Sequence, residues 1–312
     1  MDKTKKFILG IDAGSTKTKV RITDDTGHVL GEGLSGSGNV SALDISTFKT
    51  NILRAVNEAQ KNTNQKIYKF NAFCFGGAGI DTPQAKQKAE SILKEILVAD
   101  KMFVGNDTQL VLPACSTKNY GIVVIAGTGS NFYGKNKNGK EAYVGGLGGL
   151  LADEGSGYWI GRVALRSVVR ADDGRGEKTL LTDLVFKKLS IKSVRELVDV
   201  VYEKGFEQKS GVAALSQVVD EAYIKKDKVA EQILIKATQD IASSVNVLVS
   251  KLQMTSDEFE VHGIGGVFRS SFPFEKKINE KLEAKKAKFI LCKKEPVEGA
   301  IKLALRLLTP ST

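Results

Sequence analysis

Along the chain, apolar residues come in short runs whose period switches between two and about three and a half. Residues 7–11 are apolar, and after the stretch 10-GIDAGSTK the residues Thr18, Val20 and Ile22 alternate with Lys17, Lys19 and Arg21. A period of two predicts a strand, so these segments form a hairpin, and the turn 24-DDTG leads into a third strand over 28–34. A helix is predicted over about 44–61 and a strand over 68–75. The next helix opens at Thr82-Pro83, where a capping hydroxyl and a proline in the first position favour initiation. A short strand at 102–104 ends at 105-GND. A further strand begins at 121-GIVVIAGTGSN and turns back through 134-GKNKNGK, after which long helical patterns fill 159–251. A strand at 258–262, the glycine turn 263-GIGG, a helix, a strand at 288–292 and a last helix at 296–308 complete an α/β pattern.

Two of these segments resemble each other. Both 8-ILGIDAGSTKTKVRITDDTG and 122-IVVIAGTGSNFYGKNKNG read as apolar strand, Ala-Gly-hydroxyl turn, second strand, polar hairpin turn ending in glycine, then a third strand. Ala13 to Gly27 and Ala126 to Gly139 are nearly equal distances, and Ala13 and Ala126 are 113 residues apart. A duplicated three-strand unit predicts two similarly folded domains facing each other, 1–117 joined by the C-terminal helix at 296–312, and 118–295. Two unrelated hairpins with similar turn chemistry remain the other account. In this comparison Asp12 stands between Ile11 and Ala13 and the second copy has no counterpart for it.

The length of 312 residues suits two domains, and 42% hydrophobic residues can fill their cores. Apolar runs fall far short of the roughly 20 residues of a membrane helix, so no membrane association is expected. Asp12 and Lys17 interrupt the first apolar stretch too early for a secretory signal. Cys74, Cys115 and Cys292 are few and scattered, which argues against a disulfide framework or zinc site and for simple buried thiols in a reducing cytoplasm. The net charge of +10 raises nucleic acid as a partner. The lysines, however, are interleaved with acids on helix faces, as in 274-FEKKINEKLEAKKAKF, with no stacking platform, so no nucleic acid is expected.

The glycine turns carry the candidate chemistry. GIDAGSTK is not a P-loop: its glycines are one residue too close, its lysine follows the hydroxyls, and it opens into a strand where a P-loop opens into a helix. Two strand–glycine–hydroxyl hairpins facing each other would instead aim backbone N–H groups and hydroxyls into a shared cleft, one loop taking the phosphates from each side. Lys17 adds positive charge. A carboxylate at Asp12 beside a polyphosphate calls for Mg2+ between them, although an aspartate bonding its own turn explains the residue equally simply. The turn 263-GIGG could let a nucleoside lie against Gly265 and Gly266, or only close a βα unit. Asp107, after a strand, is either a helix N-cap or the single base that phosphoryl transfer to a hydroxyl requires. In 153-DEGSGYWIGR, Asp153 and Glu154 stand at a predicted helix start and suit either the helix dipole or sugar hydroxyls. Asn39, in 36-GSGNVS, has the setting of an ordinary turn asparagine.

Taken together, GIDAGSTKTK, VIAGTGSN, HGIGGVFRS and above all GLLADEGSGYWIGR resemble the BadF/BadG/BcrA/BcrD family, and within it the N-acetylglucosamine kinase-like sugar kinases of the acetate kinase/hexokinase/Hsp70/actin superfamily. The resemblance covers nearly the whole chain and implies two actin-like (ribonuclease H-like) domains with ATP and Mg2+ in the cleft between them. It further implies that Asp107 is the base and Asp12 organises the metal. Sugar contacts would fall on Asn39, Asp107, Ser130, Asn131, Gly146 and Asp153. Phosphate contacts would fall on Gly14, Ser15, Thr16, Lys17, Thr128 and Gly129, and nucleoside contacts on Gly265 and Gly266. The implied reaction is phosphorylation of a hydroxyl, O6 first, on N-acetylglucosamine or a related amino sugar or hexose. Leu147 stands where some of these kinases place a tryptophan beside the sugar, which leaves the exact sugar open. The family also contains ATPase activators of 2-hydroxyacyl-CoA dehydratases and benzoyl-CoA reductases, the alternative function, but the cysteine spacing here does not match their cluster ligands. A homodimer follows only as a tendency of the superfamily.

Overall fold

A computed structural model describes residues 5–63, 65–203 and 209–309. The first residues of the basic N-terminal stretch, residues 204–208 within the long helical region and the end of the 296–312 segment lie outside them. The chain divides into two compact units, one comprising the chain up to Asn119 together with Lys293 onward, the other Tyr120–Cys292.

In the first unit the strands are β1 (Ile8–Ala13), β2 (Thr18–Thr23), β3 (Val29–Ser35), β4 (Phe70–Gly77) and β5 (Ala99–Asn106), and the helices α1 (Ile45–Asn62), α2 (Pro83–Ile96) and α3 (Thr108–Cys115). The sheet order is β3-β2-β1-β4-β5. The first three strands are antiparallel, whereas β4 and β5 run parallel to β1. Helix α1 is capped by Asp44, which accepts from the Thr47 amide at 2.9 Å, and buries Phe48, Ile52, Ala55, Val56 and Ala59 at helical spacing. It lies directly on β3: a Cβ at Gly31 or Gly33 would come within 2.2 and 2.0 Å of the carbonyl oxygens of Ala59 and Ala55. Thr82 accepts from the Ala85 amide at 3.1 Å with Pro83 opening α2, as that start was read from the sequence. The chain's last helix, Pro296–Leu308, covers the other sheet face, burying Ala300, Ile301 and Ala304 with Ile8, Ala72, Cys74 and Leu110.

The second unit repeats this plan. It contains β6 (Gly121–Ala126), β7 (Ser130–Lys135), β8 (Glu141–Gly145), α4 (Gly157–Asp172), α5 (Leu181–Leu189), α6 (Val194–Val198), α7 (Lys209–Ala214), α8 (Ser216–Ile224), α9 (Lys228–Lys251), β9 (Phe259–Ile264), α10 (Phe274–Asn279) and β10 (Ala287–Leu291), the terminal helix being α11. The order β10-β9-β6-β7-β8, with β7 and β8 antiparallel and β9 and β10 parallel to their neighbours, mirrors the first sheet strand for strand. The duplication is therefore real, but its alignment needs correction. Ala13 pairs with Thr18 and Ala126 with Ser130. Asp12 thus corresponds to Ile125, and the one-residue difference lies in the turn, 14–17 against 127–129.

Two other expectations also change. No α-helix follows 263-GIGG directly: a single 3-10 turn, Gly266–Arg269, precedes α10. Asp220 pulls the chain out of a helical path, accepting from the Ser270 hydroxyl at 2.6 Å and the Ser271 amide at 2.8 Å. Asp153 and Glu154 do not begin α4, whose cap is Ser156, bonded to the Trp159 amide at 3.1 Å. Cys74 is a buried free thiol, but Cys115 and Cys292 are not free, so the reading of three simple thiols holds at one position. Among the described residues no helix is long and apolar enough to cross a membrane.

Candidate active site

In each unit the candidate residues gather at the C-terminal ends of the parallel strands, where open α/β sheets place their ligands. In the first unit, β1 delivers Asp12 and Ala13 into the hydroxyl turn. The turn is closed by the Gly14 amide donating to the Lys17 carbonyl at 2.9 Å, so that N–H is used within the turn. The side chains of Ser15, Thr16 and Lys17 are exposed. The loop carrying Asn39 is tied to the turn, since the Gly38 amide donates to the Gly14 carbonyl at 3.1 Å and Asn39 Nδ2 reaches Ser15 Oγ at 3.4 Å. Asn39 also acts as an ordinary turn asparagine, its Oδ1 accepting from the Ser41 and Ala42 amides at 3.0 and 3.1 Å.

Asp107 stands at the N-cap position of α3, yet its side chain makes no capping hydrogen bond. Asn106 does that work instead. Its Oδ1 accepts from the Thr108 amide at 3.0 Å and the Thr108 hydroxyl at 2.6 Å. Its Nδ2 donates to Asp81 Oδ1 at 2.8 Å. The capping explanation of Asp107 therefore fails, and the carboxylate is left for other work. Burial, and then repulsion from Asp81, raise its pKa to about 6. Asp12, on the same edge of the sheet, is raised to about 7 by burial and then by Asp107, with Lys17 acting in the opposite direction. Both side chains keep some solvent contact while protein crowds around them. Lys19, opposite Asp12 in the register, is bonded to Glu295 at 2.6 Å. Asp12, one crowded carboxylate at the end of β1 with Lys17 in the turn that follows, fits a hard divalent cation that takes a single protein carboxylate and is completed by phosphate and water. Among the described residues no group of three or more His, Cys, Asp or Glu could hold a metal by itself.

In the second unit, the turn after β6 is closed by the Gly127 amide on the Gly129 carbonyl at 2.9 Å. The first amides of α4 fix it from behind: Gly157 donates to Gly127 at 2.8 Å and Tyr158 to the Thr128 carbonyl at 3.1 Å. Thr128 and Gly129 stay half-buried at its tip. Ser130 is buried, its amide on Asp153 Oδ1 at 3.1 Å and its hydroxyl on the Glu154 carbonyl at 2.9 Å. Asp153 is buried with a φ of 73°, a left-handed conformation that the surrounding contacts must sustain. Asn131 packs on Gly146, where a Cβ would lie 2.6 Å from the Asn131 amide group. Gly265 lies against the same turn, a Cβ there meeting the Ala126 carbonyl at 2.2 Å, while nothing crowds Gly266. Ser130, Asn131, Gly146, Asp153, Gly265 and Gly266 thus converge on one sheet edge.

The BadF/BadG/BcrA/BcrD ATPase family matches residues 9–304. The chain belongs to that ATPase family. A curated relative, the N-acetylmuramic acid/N-acetylglucosamine kinase of Clostridium acetobutylicum, is 34% identical over 96% of this chain and 98% of its own. The N-acetyl-D-glucosamine kinase of Dictyostelium discoideum is 30% identical over 82% of this chain and 83% of its own. Among solved structures, a candidate N-acetylglucosamine kinase from Chromobacterium violaceum aligns with a TM-score of 0.78 at 22% identity, covering 96% of this chain and 99% of that one. A ROK family glucokinase from Streptomyces griseus aligns at 0.54 and 16%, with the same coverage. The expected fold, two actin-like α/β domains, is the one this member of the ATPase family has. Asn106 and Asp81 escaped the sequence reading; the one available signal was an asparagine two residues before a threonine at a helix start.

Proposed function

We propose that this family member is an ATP-dependent sugar kinase that phosphorylates a hydroxyl, O6 first, of N-acetylglucosamine or a related amino sugar. The observation that carries the reading is Asp107, a carboxylate at a strand end, relieved of capping by Asn106, with its pKa raised to about 6. Such a group is ionised at neutral pH yet basic enough to accept a hydroxyl proton as transfer proceeds. Asn39, Ser130, Asn131, Gly146 and Asp153 hold the sugar. Ser15, Thr16, Lys17, Thr128 and Gly129 hold the phosphates; Gly14, whose amide closes its own turn, shapes the loop. Gly265 and Gly266 take the nucleoside. Asp12 would hold Mg2+, which when bound supplies charge neutralisation at the phosphates. The division into 1–117 with 296–312, and 118–295, belongs to this proposal, as does a cytoplasmic location, where ATP is available. A homodimer is a superfamily expectation that sedimentation of the purified protein tests.

The activator alternative is the weaker reading, because the curated relatives matched over most of the chain are sugar kinases. The test is a coupled ADP-release screen over N-acetylglucosamine, N-acetylmuramic acid, glucosamine, glucose and N-acetylmannosamine. Asp107→Asn should lower turnover on the accepted sugar by about 10²–10⁴-fold while sugar binding stays measurable. Near-normal turnover in that variant would remove Asp107 as the base.

A further inference from the structure

The second unit carries a cavity of about 1040 Å³ that none of the glycine-turn residues lines. Its wall is built largely by α4 and α6, and its charge is one-sided. Arg162, Arg166 and Arg170 follow one another at intervals of four along α4, so they share one face and span a little over two turns, roughly 12 Å. Arg195 joins them from α6. Like charges at this spacing repel one another, and no acid lies between them in the sequence to offset that.

The acids that line the cavity, Asp172 and Asp173, do not resolve the imbalance. Asp173 is already bonded to Arg175, and Arg170 donates to the Arg175 carbonyl at 3.1 Å. Among the described residues, Arg162, Arg166, Arg170 and Arg195 form no ion pair. Arg162 Nε is buried without a hydrogen-bond partner in the protein. The remaining lining is apolar, with Tyr158 and Tyr202 among it. A stripe of guanidiniums over an apolar floor matches phosphate oxygens in bidentate fashion.

We propose that this cavity binds a small anion carrying two or more phosphate groups, as a site separate from the glycine turns. The ligand is either a free inorganic polyphosphate or a nucleoside polyphosphate, and α4 connects the site to the Thr128 turn through the Tyr158 amide.

The test uses the full chain free of nucleotide, titrated calorimetrically with inorganic tripolyphosphate and, separately, with uridine triphosphate, so that binding at the glycine turns appears as a separate class of site that the arginine variants keep. Saturable binding to the wild type is expected, weakening steeply with salt, and falling at least tenfold in Arg166→Glu/Arg170→Glu. Lys285→Glu/Lys286→Glu, an equal charge change on an exposed segment elsewhere in the unit, should leave it intact. Tighter binding of the nucleotide identifies a nucleoside ligand; equal binding identifies a free polyphosphate. Circular dichroism checks the fold, and Arg166→Gln/Arg170→Gln replaces the double glutamate variant if that fails to fold. Absence of saturable binding to the wild type overturns the proposal, as does equal binding by the arginine variants.

Discussion

Asp12 and Asp107 are carboxylates kept in surroundings that resist their ionisation, and that fixes the sign of their effect on stability. A carboxyl whose pKa rises on folding, from 3.8 to about 7 at Asp12, destabilises the folded state once it must ionise. Stability of the metal-free protein should therefore decline as pH rises from about 4 through 7. Asp12→Asn should raise the melting temperature at pH 8 and change it little at pH 4, and it should raise the Mg2+ concentration that activity requires. Equal shifts at both pH values, or an unchanged Mg2+ titration, would speak against the assignment. Asp81 acts on Asp107 by repulsion, so Asp81→Asn should lower the pKa of the base and move the acid limb of turnover to lower pH. An unmoved limb would show that Asp81 does not set that proton affinity. The sequence made Asp107 conspicuous but could not choose between cap and base. Which of two adjacent residues caps α3 depends on side-chain directions, and Asn106 decides it. Likewise a gap placed beside Asp12 matched the hydrophobic pattern as well as a shortened turn did, and only the pairing of Ala126 with Ser130 tells them apart.

Elements bounded by strong local chemistry were the legible ones. Thr82-Pro83 announces α2, and the structure places that start there, as it places the last helix from Pro296 to Leu308. The long run at 159–251 was read as helical without its breaks, which among the described residues include polar turns such as the one at Gly174, with φ of 80°. Nor could the sequence show how closely elements approach. In α11 a Cβ at Gly299 would lie 1.8 Å from the Leu110 carbonyl oxygen and 2.9 Å from the Ala114 nitrogen, both backbone atoms of α3. Backbone cannot yield as a side-chain end does, so Gly299→Ala must push the two helices apart. We expect a loss of about 1–3 kcal/mol, read as a lower melting temperature. An unchanged melting temperature would mean the two helices are not in this contact.

At the scale of the whole molecule, the two units share a strand order but not a relation to the chain. The second is one continuous segment, and among the described residues its core, from Ile122 to Phe289, is built from that segment alone. The first is completed only when the chain returns after Lys293. Without α11, the sheet face formed by Ile8, Ala72 and Cys74 loses Ala300, Ile301 and Ala304 and is exposed to water. Glu295 goes with it, and with that residue the ion pairs to Lys19 and Arg21 on β2. Burying one large aliphatic side chain contributes about 1.5–3 kcal/mol, so losing this layer removes a large part of the stability of a domain of ordinary size. A chain ended after Lys294 should therefore lose hydrogen-exchange protection in β1, β4 and β5 while β6, β9 and α9 keep theirs. Equal loss in both sheets would mean that the units fold as a single cooperative block. Full protection in β1 would mean that the first sheet needs no covering helix on that face, contrary to the buried contacts of Ile301.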